Sequence, residues 1–242
     1  MWIGLTEFKN YQVISTDGAI GRLVDLIFPQ GQWSVRYLLV WSQELNRALA
    51  LPASGILQVY RDEYFLRFDA AQDRVEASPE LDVTRRLERR EEEQLYEHYG
   101  WPPYWLQGEH DVTPIGVLSG EPEDTGSPDV TTFDHPELQG ANELVGTYKV
   151  HSSEGEFGAV QDVIVADETW LIPGLAISAP AIEGGVLIET DWIERVDWVT
   201  KEMYVALPAE FLAEGPVHRP REPLTTQQQR LRERSDQISK TT

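Results

Sequence analysis

The stretch Trp33–Trp41 alternates well, with Trp33, Val35, Tyr37, Leu39 and Trp41 on one face. That period of two predicts a half-buried β-strand. Upstream of it, "STDGAIGRLVDLIF" (Ser15–Phe28) pairs a turn with a long apolar run, and "SSEGEFGAVQDVIV" (Ser152–Val165) spells nearly the same phrase. At a constant offset of 137 residues the match needs no gap: Tyr11 falls on Tyr148, Gly18 on Gly155, Gly21 on Gly158, Asp25 on Asp162, Trp33 on Trp170, Leu38 on Leu175 and Ile56 on Ile193. So long a period indicates a duplicated domain rather than a solenoid.

Each copy reads as β. Asp17-Gly18 and Glu154-Gly155 sit between apolar runs as hairpin-turn signals, because glycine adopts a positive φ without steric cost. Gly21 and Gly158 come next as bulge residues. Further strands are predicted at Ala48–Pro52 and Glu63–Phe68, and at Gly184–Glu189 and Glu202–Leu207 in the second copy. Pro173-Gly174 interrupts the second copy's counterpart of the Trp33–Trp41 strand. Proline donates nothing to a ladder, so that strand is expected at an edge or a bulge. Several short strands with turns between them predict a small closed barrel or a sandwich. The fold class is therefore mainly β, with two small barrels in tandem and one connecting helix.

Between the copies the pattern changes. Asp82–Tyr99 holds charged helix formers without Gly or Pro and predicts a helix with a thin stripe of Val83, Leu87, Leu95 and Tyr99, ended by Gly100. "WPPYW" (Trp101–Trp105) comes after it, and then a stretch with the composition of a linker. The chain divides into a first barrel at 1–80, helix and aromatic segment at 81–106, linker at 107–135, second barrel at 136–214, and a Pro-rich then polar tail at 215–242, read as disordered or a frayed helix.

Charge and composition narrow the function classes. The formal net charge is -21, which opposes binding to nucleic-acid phosphates and to anionic membranes. The tail alone is basic, with Arg219, Arg221, Arg230, Arg232, Arg234 and Lys240 against Glu222, Glu233 and Asp236. It could fold back on the acidic body or contact an acidic partner, or serve solubility alone. There is no cysteine, which removes disulfides, thiolate catalysis and cysteine metal sites. No window offers the roughly 20 apolar residues of a membrane span. The expected location is the cytoplasm.

The pattern carried by Val13, Asp17, Gly18, Gly21, Leu23, Asp25, Leu26, Ile27, Trp33, Tyr37, Leu38, Leu39, Val40, Leu51, Pro52 and Val59 resembles the PRC-barrel. This is the small barrel of the cytoplasmic part of the photosynthetic reaction centre H subunit, shared by the C-terminal domain of the bacterial ribosome maturation factor. "SPELD" and "LYEHYGWPPYW" resemble the segment after the barrel in stand-alone bacterial members. The second copy departs at Pro173-Gly174 and has "LIE" (Leu187–Glu189) where the first has Leu51-Pro52. The resemblance implies a docking or adaptor module and says little about chemistry.

The sequence carries no catalytic or metal signature. His98, His110, His135, His151 and His218 form no metal-binding spacing. No nucleophile elbow or phosphate loop occurs. Glu109, His110 and Asp111 read as a polar loop. Asp191, Glu194 and Asp197 would share a face on a helical turn and read as a solvated acidic patch. The repeated polar candidates are Asp25 and Asp162, each within an apolar strand. Either could accept backbone N–H bonds and pin the turn, or stand as a buried titrating group. Trp101, Tyr104 and Trp105 form the candidate interaction surface, since aromatics gather at interface cores; they could equally cap the barrel or the helix base. The expectation is a non-enzymatic docking protein without cofactor or metal, acting on an unknown protein partner or as a homodimer. The alternative is a proton- or small-molecule-handling protein with a carboxylate-lined cleft between the barrels, tested on Asp25, Asp162 or His151.

Overall fold

A computed structural model describes residues 1–106, 137–179, 184–218 and 224–241; the predicted linker at 107–135 lies outside them. The first copy runs β1 (Trp2–Gly4), α1 (Leu5–Phe8), β2 (Gln12–Ile14), β3 (Ala19–Pro29), β4 (Tyr37–Ser42), β5 (Arg47–Pro52), β6 (Ile56–Tyr60), β7 (Phe65–Phe68) and α2 (Gln72–Glu76), followed by α3 (Arg89–Tyr99). The second runs β8 (Leu138–Gly140), α4 (Ala141–Leu144), β9 (Lys149–Ser152), β10 (Gly155–Ala166), β11 (Gly174–Ser178), β12 (Gly185–Glu189), β13 (Ile193–Asp197), β14 (Glu202–Val205) and α5 (Ala209–Ala213). It adds β15 (Val217–His218) and α6 (Thr225–Thr241).

The protein is mainly β, with two multi-stranded sheets. The first is ordered β5-β4-β3-β2-β7-β6 and the second β13-β14-β9-β10-β11-β12-β15. Neither closes into a hydrogen-bonded barrel among the described residues. In each, the strands at the two ends of the repeated path are consecutive in the chain, joined by a 3-10 turn at Ala53–Gly55 or Thr190–Trp192. The path therefore turns back on itself at a covalent corner rather than through a ladder.

The two sheets trade strands. β1 pairs with β10 of the other copy, Trp2 opposite Ala166 and Gly4 opposite Ile164. β8 pairs with β3, Leu138 opposite Pro29 and Gly140 opposite Ile27. Ile27 and Ile164 are repeat equivalents, so the exchange is reciprocal and in one register. A second contact obeys the same rule. Ser34 bridges Leu171, Val35 N donates to Trp170 O at 2.8 Å, and Ile172 N donates to Trp33 O at 2.7 Å. Equivalent residues meeting across a pseudo-two-fold form the isologous interface of a homodimer, here within one chain. Aromatics fill the seam. Phe28 stacks on Trp33 at 5.6 Å, Trp198 lies 6.4 Å from Trp33, and Phe8 reaches Trp170 at 6.0 Å. One apolar core runs through both copies.

Three expectations change. Pro173 does not put its strand at an edge: β11 lies between β10 and β12. The proline precedes the strand, where no donor is needed, and its carbonyl accepts from Thr190 N at 3.2 Å. The helix after the first copy starts at Arg89 rather than Asp82, because the Asp82 carboxylate closes a local turn by accepting from Thr84 N at 3.1 Å. The tail is not disordered over Thr225–Thr241. Leu224, just before the helix, and Leu231 within it are both buried, Ser235 bonds Glu189, and the Arg234 guanidinium lies 4.1 Å over the Phe211 ring. Two leucines and one arginine suffice to dock a helix whose remaining surface is polar.

Leu231→Ala is expected to cost about 2–4 kcal/mol in denaturant unfolding, the usual loss for a buried leucine. A neutral effect would mean that the tail does not pack.

Candidate functional site

Four of the five acidic residues of the repeated phrase cap helices, and the fifth, Glu156, pairs with Lys149 at 2.9 Å. Asp17 Oδ1 accepts from Gln72 N at 2.7 Å, at the start of α2. Glu154 Oε2 accepts from Ala209 N at 3.0 Å, at the start of α5. These two act within their own copy. Asp25 and Asp162 act across. Asp25 Oδ1 accepts from Asn142 N at 2.9 Å and from Leu26 N at 2.8 Å. Asp162 Oδ1 accepts from Thr6 N and Val163 N, both at 3.0 Å. Thr6 and Asn142 stand second in α1 and α4, whose N-caps are Gly4 and Gly140 and offer no side-chain acceptor. A carboxylate on the first-turn N–H groups supplies that missing partner and opposes the helix dipole.

Glycine at the cap is required by this contact. A Cβ on Gly4 would lie 2.5 Å from Asp162 Oδ2, and one on Gly140 2.6 Å from Asp25 Oδ2. Gly21 and Gly158 are fixed by close approach too. A Cβ there would meet Trp41 O at 2.1 Å or Ser178 O at 2.2 Å; the bulges themselves take Ile20 and Phe157. Gly18 does not need a positive φ, whereas Gly155 has φ +133°. The first turn is closed instead by Ser15 Oγ, which accepts from Gly18 N at 2.8 Å.

The two cross-copy carboxylates differ in their surroundings. His218 on β15 places Nε2 3.2 Å from Asp162 Oδ2, both side chains only 2% exposed. Between them on the same face lie Ala176 and Gly185, small enough to let the imidazole past. Leu39 and Ala48 hold the equivalent positions in the first copy, and Asp25 has no such histidine. Burial, the largest cause, raises the Asp25 pKa from 3.8 to about 6 against its backbone bonds to Asn142 and Leu26 and the charge of Lys9.

The remaining candidates are dispersed. His98 Nε2 lies 2.7 Å from Arg74 O, and His151 stacks on Tyr204 at 4.9 Å. Asp191 is in a 3-10 turn, while Glu194 and Asp197 lie on strand β13, Glu194 at a bulge, so the three share no helical turn. Asp197 caps a turn through Val199 N and Thr200 N. Among the described residues no cluster of His, Asp or Glu suits a metal ion, and no helix is long and apolar enough to cross a membrane. Glu109, His110, Asp111 and His135 lie outside the described residues.

The aromatic segment is partly packed and partly open. Trp101 stacks on Tyr99 at 4.7 Å and meets Phe68 edge-on at 5.5 Å. Tyr104 lies under Arg36 at 4.1 Å, and Trp105 under Arg89 at 4.8 Å. The outer sides of Trp101, Pro103 and Trp105 line a groove of about 530 Å³ with Arg90, Glu93 and Glu97 of α3. Sequence reasoning missed Glu92, which is 1% exposed, pairs with Arg36 at 3.3 Å and accepts from the Tyr37 hydroxyl. Its signal was positional: it shares a helix face with Leu95, Tyr96 and Tyr99, where the period asks for an apolar residue.

No protein-family profile and no curated protein matches the chain.

Asp25 makes stability depend on pH. A carboxyl whose folded pKa is raised stabilises below its unfolded value and loses that contribution as pH rises through about 6. Unfolding of the protein and of Asp25→Asn, compared between pH 4 and 7, is expected to show wild type losing up to about 3 kcal/mol relative to the variant. A flat difference would contradict the buried contact.

Proposed function

We propose that the chain is a non-catalytic docking protein, made of two PRC-type units fused as a single-chain dimer. Support for the family reading comes from its motif residues. Gly21 sits where a neighbouring backbone leaves no room for a side chain, Asp25 caps a helix, and Leu51-Pro52 leads into the 3-10 corner. Support for docking comes from a single observation, the groove of Trp101, Pro103 and Trp105 beside α3. Rigid aromatic rings, held from behind by Tyr99, Phe68 and Arg89 and open in front, are the usual anchors of a protein interface. The partner is a protein segment, or a second copy, that inserts an apolar side chain between the rings and meets Glu93 and Glu97 with positive charge.

A second reading, a proton-handling protein with the reaction-centre subunit as its relative, draws on the raised pKa of Asp25. The helix-capping role accounts for that carboxyl without a ligand, so docking is preferred.

Trp105→Ala is expected to abolish capture of partner from a native extract, or to lower the mass in light scattering, with little change in thermal stability. Trp101→Ala would do the same while also destabilising the fold, because its ring packs on Gly55 and Phe68. Unchanged mass and unchanged capture in both variants would remove this surface from the proposal.

A further inference from the structure

The two copies differ at one sheet edge, and the difference leaves a groove. In the second copy β15 lies along the outer edge of β12, His218 opposite Gly185 and Val217 opposite Val186. Leu187 N, pointing outward from the same edge, donates to Pro216 O at 2.9 Å. The equivalent edge in the first copy is β5, and Ala50 stands where Leu187 does. β4 and β5 keep the register of β11 and β12, so the Ala50 N–H also points outward. Among the described residues no strand pairs with that edge and none accepts from Ala50 N.

The segment that would fill it has been held away. Pro79 stands where Pro216 does, yet the guanidinium of Arg47 intervenes. It donates to Glu76 O at 3.0 Å and Ser78 O at 3.4 Å and pairs with Glu80 at 3.2 Å. Position 184, the equivalent of Arg47, is glycine. Between the strand and the displaced segment lies a groove of about 360 Å³, with Ala48, Leu49 and Ala50 on one wall and Pro79, Leu81 and Arg85 on the other.

We propose that the outer edge of β5 is a second binding site, which takes a short extended peptide of a partner protein as an added antiparallel strand. The other half of the molecule shows the mode of occupation, since a short Pro-Val-His strand fills the matching edge there. Backbone bonds at Ala48 and Ala50 supply the affinity of strand addition, and side-chain pockets the selectivity. The wall of Pro79–Arg85 admits a single chain and stands in the way of a whole sheet, which disfavours edge-to-edge pairing with a second copy. Leu39, larger than Ala176, fills the path that His218 takes. The peptide therefore needs a small aliphatic residue opposite Ala48, where β15 has histidine. This site lies apart from the aromatic groove and does not depend on it.

Random linear peptides displayed on phage, panned on the full chain and counter-selected on Ala50→Pro, test the site. Proline there removes only an outward N–H, as edge strands tolerate. Enriched peptides should carry a small aliphatic residue at a fixed position and lose about tenfold or more in affinity on the variant. Amide exchange gives a readout that needs no variant: Ala50 should exchange fast in the free protein and slow at least about tenfold with a selected peptide, while Leu187 stays protected throughout. No enrichment over Ala50→Pro, or an Ala50 amide unaffected by bound peptide, would overturn the proposal. So would a doubled solution mass with Ala50 already protected, since a second copy would then hold the edge.

Discussion

A carboxylate in one copy holds the first turn of a four-residue helix in the other, and the arrangement of the chain depends on that contact. Helices as short as α1 and α4 cannot stand alone, because nucleation costs more than one turn returns. Each lacks a cap of its own, with glycine at the position where serine or aspartate would serve. Asp162 completes α1 and Asp25 completes α4. The strands that lead into these helices are thereby laid on the foreign sheet at Ile164 and Ile27. The glycine and the aspartate are a matched pair, since a methyl group on one would occupy the space of the other. Both exchanges share the core and the bridge at Ser34 and Leu171, so loss of either contact weakens the whole molecule. Joining the copies in one chain raises their effective concentration and favours exchange within the chain over exchange between chains.

The two copies share this scaffold and differ at their margins. The first copy carries α3, the buried Glu92–Arg36–Tyr37 cluster and the aromatic groove. The second carries β15 on the edge of β12 and α6 against Trp192 and Glu189, whereas Trp101 covers the corresponding corner of the first at Gly55. His218 extends the same asymmetry inward, joining one of two equivalent aspartates through space that Leu39 closes in the other copy. Binding surfaces are therefore to be sought where the copies differ, on the first half, whereas residues held in common are occupied with folding.

Much of the scaffold was legible in the chain. The offset of 137 residues aligns every shared strand after the first turn, and the phrase around Asp25 and Asp162 marked polar groups inside apolar strands. What those groups hold was not legible. β1 and β8 have three residues each and no local signature, and a one-residue difference between copies (Leu5–Asn10 against Ala141–Thr147 before the shared tyrosine) places them outside the ungapped match. Their exchange is decided by tertiary packing alone. The tail helix was hidden because Leu224 and Leu231 are too sparse to register as a stripe. Pro173 misled because its rule applies inside a strand, and it stands just before one.

Nuclear Overhauser contacts across the short strands test reciprocal exchange most directly. The account predicts contacts of Ile3 with Val165 and of Gln139 with Phe28, the pairs set by the exchanged register. Contacts of Ile3 with Phe28 and of Gln139 with Val165 would place each strand on its own sheet and contradict it.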